Sequence, residues 1–208
     1  MIFYDALRQV ISLAKQKVDD SKIVGSKYLQ MSGTVLMLFV FWLIMSGGDM
    51  HPKFLFYGLV TSVVTTWLCY PLLLVPNADG TRLYYAFSVS ISKAIQYFFW
   101  LMWQLVLANI DVLLATTAQD MMTKIDPKII RFKFHADNPL AYAVLANSIT
   151  LTPGTVTLNV TPDGLYEIHA LTSGAADGCL GGDMQRKVAW LFGEGNCNFE
   201  VVNGEVAA

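Results

Sequence analysis

FLFYGLVTSVVTTWLCYPLLLV (residues 54–75) passes without one Asp, Glu, Lys or Arg. A bilayer has a hydrocarbon core of ~30 Å, and a helix rising 1.5 Å per residue needs about 20 apolar residues to cross it. The uncharged window around this stretch, 54–78, is long enough. Two more windows share its character. Residues 28–48 contain VLMLFVFWLIM, and residues 94–110 read AIQYFFWLMWQLVLANI. The third reaches spanning length once Asp111 lies near a membrane face. Hydrocarbon offers no partner to backbone N–H and C=O groups, so each window must close its own hydrogen bonds as a helix. Pro71 lacks an N–H and is expected to kink or end the second helix.

The rest of the composition agrees. Apolar residues make up 54% of the 208 positions and charged residues only 14%, against ~25% charged in soluble domains. A net charge of −2 gives no basis for a nucleic-acid partner. Trp42, Trp67, Tyr70, Tyr84 and Tyr85 stand near window ends, as interfacial belts require, whereas Trp100 and Trp103 sit deeper and suit a protein neighbour. Residues 1–25 do not read as a signal peptide, because the apolar run begins late and no small-residue cleavage site follows it. Phe3, Leu7, Val10, Ile11, Ala14 and Val18 share one helical face. The segment 1–28 therefore reads as an amphipathic helix on the membrane surface or on a partner, with a solvated basic tail as the alternative.

Orientation raises a conflict. Arg8, Lys15, Lys17, Lys22 and Lys27 precede the first window, and Lys124, Lys128, Arg131 and Lys133 follow the third. Basic residues mark the cytoplasmic side, yet three crossings place these clusters on opposite sides. Either the rule fails locally or one window does not cross. The basic cluster beside the C-terminal region favours a cytoplasmic location for that region.

From about residue 119 the pattern changes. IIRFKF (129–134) alternates apolar and basic residues like a strand. Asp137-Asn138-Pro139 signals a helix start, followed by LAYAVLANSI (140–149). TVTLNVT (155–161) and LYEIHAL (165–171) flank Pro162-Asp163-Gly164, a hairpin signal. GAADGCLGGD (174–183) reads as a loop, 184–192 as a helix and FEVV (199–202) as a last strand. The expected fold is a membrane protein with about three transmembrane α-helices followed by a small α+β domain in β-α-β-β-α order. Its expected parts are an amphipathic segment at 1–28, a transmembrane region at 29–118 (spans about 29–48, 54–75 and 90–117) and an α+β domain at 119–208.

Catalytic signatures are missing from the sequence. His51, His135 and His169 are scattered, no GxSxG, P-loop, HExxH or CxxC pattern occurs, and Cys69, Cys179 and Cys197 lack metal-ligand spacing. Cys179 and Cys197 are the only candidates for a disulfide, conditional on an extracytoplasmic tail. Gly178, Gly181 and Gly182 lack the strand–loop–helix context of a phosphate cradle and read as a plain flexible loop. No catalytic, cofactor or metal site is expected, and the chain is not expected to be an enzyme. Asp111, in LANIDVLLA, is the informative acid, since an ionisable group at membrane depth is costly and a functional candidate. It reads as part of an ion path or an ion-pair partner, or else as an interfacial acid with its carboxylate in water or a helix–helix hydrogen bond involving Asn109. One membrane acid is too little for a self-contained transporter, which usually needs several polar groups or broken helices. In LTPGT (151–155), Pro153 fixes φ and Gly154 allows φ above zero, giving a tight turn, while Thr150, Thr152 and Thr155 can bond locally to exposed backbone.

Phe41-Trp42-Leu43 with Gly47, the run Ala108-Asn109-Ile110-Asp111-Val112, and above all Ala146-Asn147-Ser148-Ile149-Thr150-Leu151-Thr152-Pro153-Gly154-Thr155 resemble the E subunit of Mrp (Mnh) multisubunit cation/proton antiporters. The resemblance covers roughly residues 31–172, and homologous subunits occur in membrane-bound hydrogenases and sulfur reductases. It implies an accessory or assembly subunit of a hetero-oligomeric sodium/proton antiporter in a prokaryotic cell membrane. Its partners would be the other subunits and the lipid bilayer, and the ion-carrying lysines and glutamates would belong to larger subunits. The implied structural or interaction residues are Asn109, Asp111, Asn147, Thr150, Thr152, Pro153, Gly154 and Thr155. Two departures stand out: about 28 residues before the first span, and the unfamiliar end GEGNCNFEVVNGE (193–205). A redox-driven host complex and a stand-alone membrane-tethered enzyme or binding domain are the alternatives.

Overall fold

The computed structural model describes residues 20–47, 51–77, 80–118, 125–195 and 198–202. The expectation of an amphipathic helix within 1–28 falls mainly outside them. The chain divides into two compact units between Ser88 and Val89.

In the first unit, α1 (Lys27–Met45) and α2 (Pro52–Cys69) carry the first two apolar windows. His51 caps α2, its ring accepting from the Lys53 N–H, and Pro52 occupies the first helical position, where its missing N–H costs nothing. The pair is in close contact where Gly58 faces Trp42, because a Cβ on Gly58 would overlap the indole. The Trp42 Nε1–H donates to the Phe54 carbonyl at 3.2 Å. The buried residues of these helices are the small ones, Thr34, Gly58, Ser62 and Thr66, while most of the large side chains are exposed. This inside-out arrangement suits a lipid solvent, in which small residues let backbones approach.

α2 ends two residues before Pro71 and continues as a 3-10 turn at Tyr70–Leu73. A short antiparallel hairpin follows, β1 (Leu74–Pro76) and β2 (Leu83–Tyr85). The sequence reading contains no such hairpin, because three-residue strands are too short to show alternation. Polar contacts anchor it to the start of α1: Tyr85 and Thr34 share a hydroxyl–hydroxyl hydrogen bond, and the Tyr70 hydroxyl donates to Gln30 at 3.0 Å.

The second unit begins with α3 (Ile91–Thr117), the third apolar window. It is followed by β3 (Lys128–His135), α4 (Pro139–Leu151), β4 (Thr155–Val160), β5 (Leu165–Ala170), α5 (Ser173–Leu180), α6 (Asp183–Phe192) and β6 (Asn198–Val201). The four strands form one antiparallel sheet in the order β4-β5-β3-β6. Alternation decides its faces. Ile130, Phe132 and Phe134 of β3 and Tyr166, Ile168 and Ala170 of β5 point into the core, where Phe132 stacks on Tyr166 with ring centroids 5.0 Å apart. Leu145 and Ile149 of α4 and Val188 of α6 cover them, joined by Tyr97 and Leu101 of α3. On the opposite sheet face, Arg131 pairs with its cross-strand neighbour Glu167 at 2.7 Å. Three helices are thus long and apolar enough to cross a membrane, and a small α+β domain follows them.

The segment 174–183, read as a loop, is instead largely helix α5. Thr172 caps it by accepting from the Ala175 N–H at 3.1 Å, and Ala176 and Cys179 bury its inner side. Gly182, at φ +77°, turns the chain directly into α6. Glycines suggested flexibility, but tertiary burial and a good cap outweigh the propensity cost of about 1 kcal/mol per helical glycine.

Replacing Gly58 with Val drives a branched side chain into the Trp42 indole. The α1–α2 contact is expected to weaken by about 1–3 kcal/mol, read as a lowered thermal midpoint of tryptophan fluorescence in detergent. An unchanged midpoint would show that these two helices do not hold each other there.

Candidate functional site

Of the residues marked by the sequence, Thr150, Thr152, Pro153, Gly154 and Thr155 gather at the corner where α4 meets β4. At the end of α4 the Thr152 N–H donates to the Ser148 and Ile149 carbonyls at 3.2 and 3.1 Å, and threonine hydroxyls add to these backbone bonds. Thr150 Oγ1 donates to the Ala146 carbonyl at 2.9 Å, and Thr152 Oγ1 to that of Ser148 at 2.9 Å. Thr155 Oγ1 lies 2.7 Å from the Ile149 carbonyl and 3.0 Å from that of Thr152. Thr150 Oγ1 also accepts the Thr157 N–H at 3.2 Å, linking helix end to strand.

The turn itself is Thr152-Pro153-Gly154-Thr155, closed by the Thr155 N–H donating to the Thr152 carbonyl at 3.2 Å. Gly154 has φ +88°, and Pro followed by a positive-φ residue is the type II pattern. Space is a second constraint. A Cβ on Gly154 would come within 3.2 Å of Val112 on α3 and 3.6 Å of Ala175 on α5. Its carbonyl accepts the Leu171 N–H at 2.8 Å. The corner is therefore a junction of α3, α4, α5 and the strands β4 and β5.

Asn109 and Asp111 do not join this cluster. Residues two apart on a helix point about 200° apart, so they leave α3 on different sides. The Asn109 amide donates to its own helix at the Leu105 carbonyl, 2.7 Å away. Asp111 is exposed, one residue from the Val112 contact. Asn147 is also exposed, on the outer side of α4.

Other residues at this junction went unmarked in the sequence. Tyr97 on α3 is buried, with its hydroxyl 2.7 Å from Ser148 Oγ on α4. Thr157 Oγ1 donates to the Ala146 carbonyl at 3.0 Å. Tyr97, Leu101, Ala108, Val112 and Ala115 recur at helical spacing, a signal masked by the uniform hydrophobicity around them. Trp100 packs against the core beneath the Lys187 ammonium, 5.7 Å from the ring centroid, whereas Trp103 stays 61% exposed. The two indoles thus serve different surroundings.

Among the described residues, no three His, Cys, Asp or Glu side chains gather as a metal site. Cys179 is a free thiol in a buried position that pushes its pKa up to about 11, and Cys197 lies outside the described residues. A raised thiol pKa favours the neutral form, so this contribution to stability is lost as pH rises toward that value. At pH 8, Cys179 is expected to react with Ellman's reagent only after unfolding; fast labelling of folded protein would contradict its burial.

Thr155→Val keeps the shape but removes a buried hydroxyl from two carbonyls. It is expected to cost about 1–3 kcal/mol in denaturation of the full chain. Gly154→Val adds strain at positive φ and a close contact with Val112, and is expected to lower the thermal midpoint of the full chain. An unchanged midpoint would sink a structural role for the turn.

Comparisons with known proteins identify a family. The MnhE family model, described as a Na+/H+ ion antiporter subunit, matches residues 35–187, from within α1 to within α6. A chain of the membrane-bound sulfane sulfur reductase, an archaeal respiratory membrane complex, is 28% identical with a TM-score of 0.52, over 67% of this chain and 81% of that one. No curated protein matches. A match that runs through the apolar helices, the threonine-capped corner and the sheet places the chain in the MnhE family of Na+/H+ antiporter subunits.

Proposed function

We propose that this chain is an accessory, assembly-directed subunit of a multisubunit monovalent cation/proton antiporter in a prokaryotic cell membrane, with its α+β domain in the cytoplasm. The observation that carries the reading is the family match across residues 35–187. The site geometry supports the accessory part. The threonine hydroxyls are bonded to the chain's own backbone, so they hold a shape and do not handle an ion. Asp111, exposed on α3, is a candidate ion-pair partner for a neighbouring subunit. Translocation falls to larger subunits, because coupled transport requires several convergent polar groups within the membrane.

The second reading is the same module in a redox-driven host, favoured by the similarity to a chain of a respiratory sulfur-reducing complex. Purification in mild detergent followed by native mass spectrometry separates the two. Large antiporter-like partners without redox subunits are expected. Additional iron–sulfur or nickel subunits would favour the second reading. A solitary species of 23.1 kDa would defeat both.

A further inference from the structure

α3 is long enough to cross a bilayer, but it does not stand alone. From Lys93, whose ammonium donates to the Trp190 carbonyl at 3.0 Å, through Tyr97 against Ser148, to Val112 against Gly154, one side of the helix rests on the α+β domain. Nineteen residues at 1.5 Å each make this docked stretch about 28 Å long, nearly the full ~30 Å of a hydrocarbon core. A crossing helix would therefore carry the domain into the hydrocarbon.

The domain places charges along that stretch. Beside Trp100 and Gln104, near its middle, stand Lys187, over the Trp100 and Trp190 rings, and Arg186, paired with Asp183 at 2.5 Å. Near its end, Asp126 accepts at 2.9 Å from Ser173, the residue after the Thr172 cap of α5, and pairs with Lys128 at 3.1 Å. Removing an ion pair from water costs several kcal/mol per ion. Meanwhile the opposite side of α3 is apolar throughout: Ile95, Phe99, Trp103, Val106, Ile110 and Leu113 are all exposed. α3 is apolar on both sides, so what opposes a crossing is the charged domain docked along one of them, while the bare side still seeks an apolar solvent.

We propose that α3 lies in the plane of the membrane, its bare side sunk in the headgroup–acyl boundary of the cytoplasmic leaflet and its other side carrying the α+β domain. The occupant of the apolar face is phospholipid. The basic–aromatic cleft of Trp100, Gln104, Asp183, Arg186, Lys187 and Trp190 opens beside the middle of α3, where Lys187 and Arg186 can meet lipid phosphates. Two crossings, α1 and α2, then place the basic tail and the basic cluster at Lys128, Arg131 and Lys133 on the same side, which removes the conflict in the charge pattern. Asp111 keeps its carboxylate at the water boundary. The arrangement is independent of which complex hosts the chain.

The test uses the full chain in native membranes, with its three cysteines replaced by serine or alanine. Phe99→Cys, Val106→Cys and Leu113→Cys, seven residues apart on the bare side, span about 21 Å of helix. Each is labelled with bimane and its depth is read by quenching with lipids brominated at defined chain positions. Three similar shallow depths are expected, about 5–10 Å below the surface. Ser21→Cys and Asp177→Cys are expected to react with a membrane-impermeant maleimide from the same side. A depth spread near 20 Å, or labelling from opposite sides, overturns the proposal. Absence of quenching at all three positions also overturns it, by showing that protein covers the face.

Discussion

The corner between α4 and β4 is where the second unit is pinned, because threonine hydroxyls there reinforce the backbone hydrogen bonds of the helix end. The Ser148, Ile149 and Thr152 carbonyls accept backbone N–H groups, and the hydroxyls of Thr150, Thr152 and Thr155 add bonds to Ala146, Ser148 and Ile149. The Thr155 hydroxyl is the buried one, and a buried polar group left without a partner costs free energy comparable to a lost hydrogen bond. Once the corner is closed, β4 emerges in register with β5, and Gly154 comes close enough to α3 and α5 to lock the three elements together. The turn is thus less a connector than the point at which helix end, strand start and the long apolar helix are mutually positioned.

α3 shows how one helix can serve two solvents. Its inner side carries Tyr97, Leu101, Ala108, Val112 and Ala115, mostly modest in size and including one hydroxyl that meets Ser148. Its outer side carries large aliphatic and aromatic residues that the domain leaves uncovered. The inner side obeys the rules of a protein core, in which polar groups are satisfied. The outer side obeys those of lipid, in which exposure of apolar surface costs nothing. α1 and α2 have the same division in a simpler form, with Thr34, Gly58, Ser62 and Thr66 between them and the large side chains outside.

Much of this was legible in the chain itself. Uncharged windows mark α1, α2 and α3 because lipid tolerates few charges. Asn138-Pro139 marks the start of α4, since the Asn138 side chain accepts from Leu140 N–H at 3.1 Å. Pro162-Asp163-Gly164 marks the β4–β5 hairpin. The β1–β2 hairpin and α5 were not legible. The first is held by Thr34, Gln30 and Tyr70, far away in sequence. The second is a glycine-rich segment made helical by its Thr172 cap and by the burial of Ala176 and Cys179.

The sequence by itself determined that this is a membrane protein with a small α+β domain and that a tight Pro-Gly turn joins α4 to β4. These follow from local rules: hydrophobic length, strand alternation, and the conformational limits of proline and glycine. Only the tertiary structure decided that Gly154 meets Val112, that Tyr97 reaches Ser148, and that α3 belongs to the same compact unit as the sheet. The physical reason is that nearly every face of α3 is apolar, so hydrophobicity could not distinguish the side that packs on protein from the side left for lipid. That choice depends on which partner surface fits, and the fit exists only once the strands and helices that form it have come together.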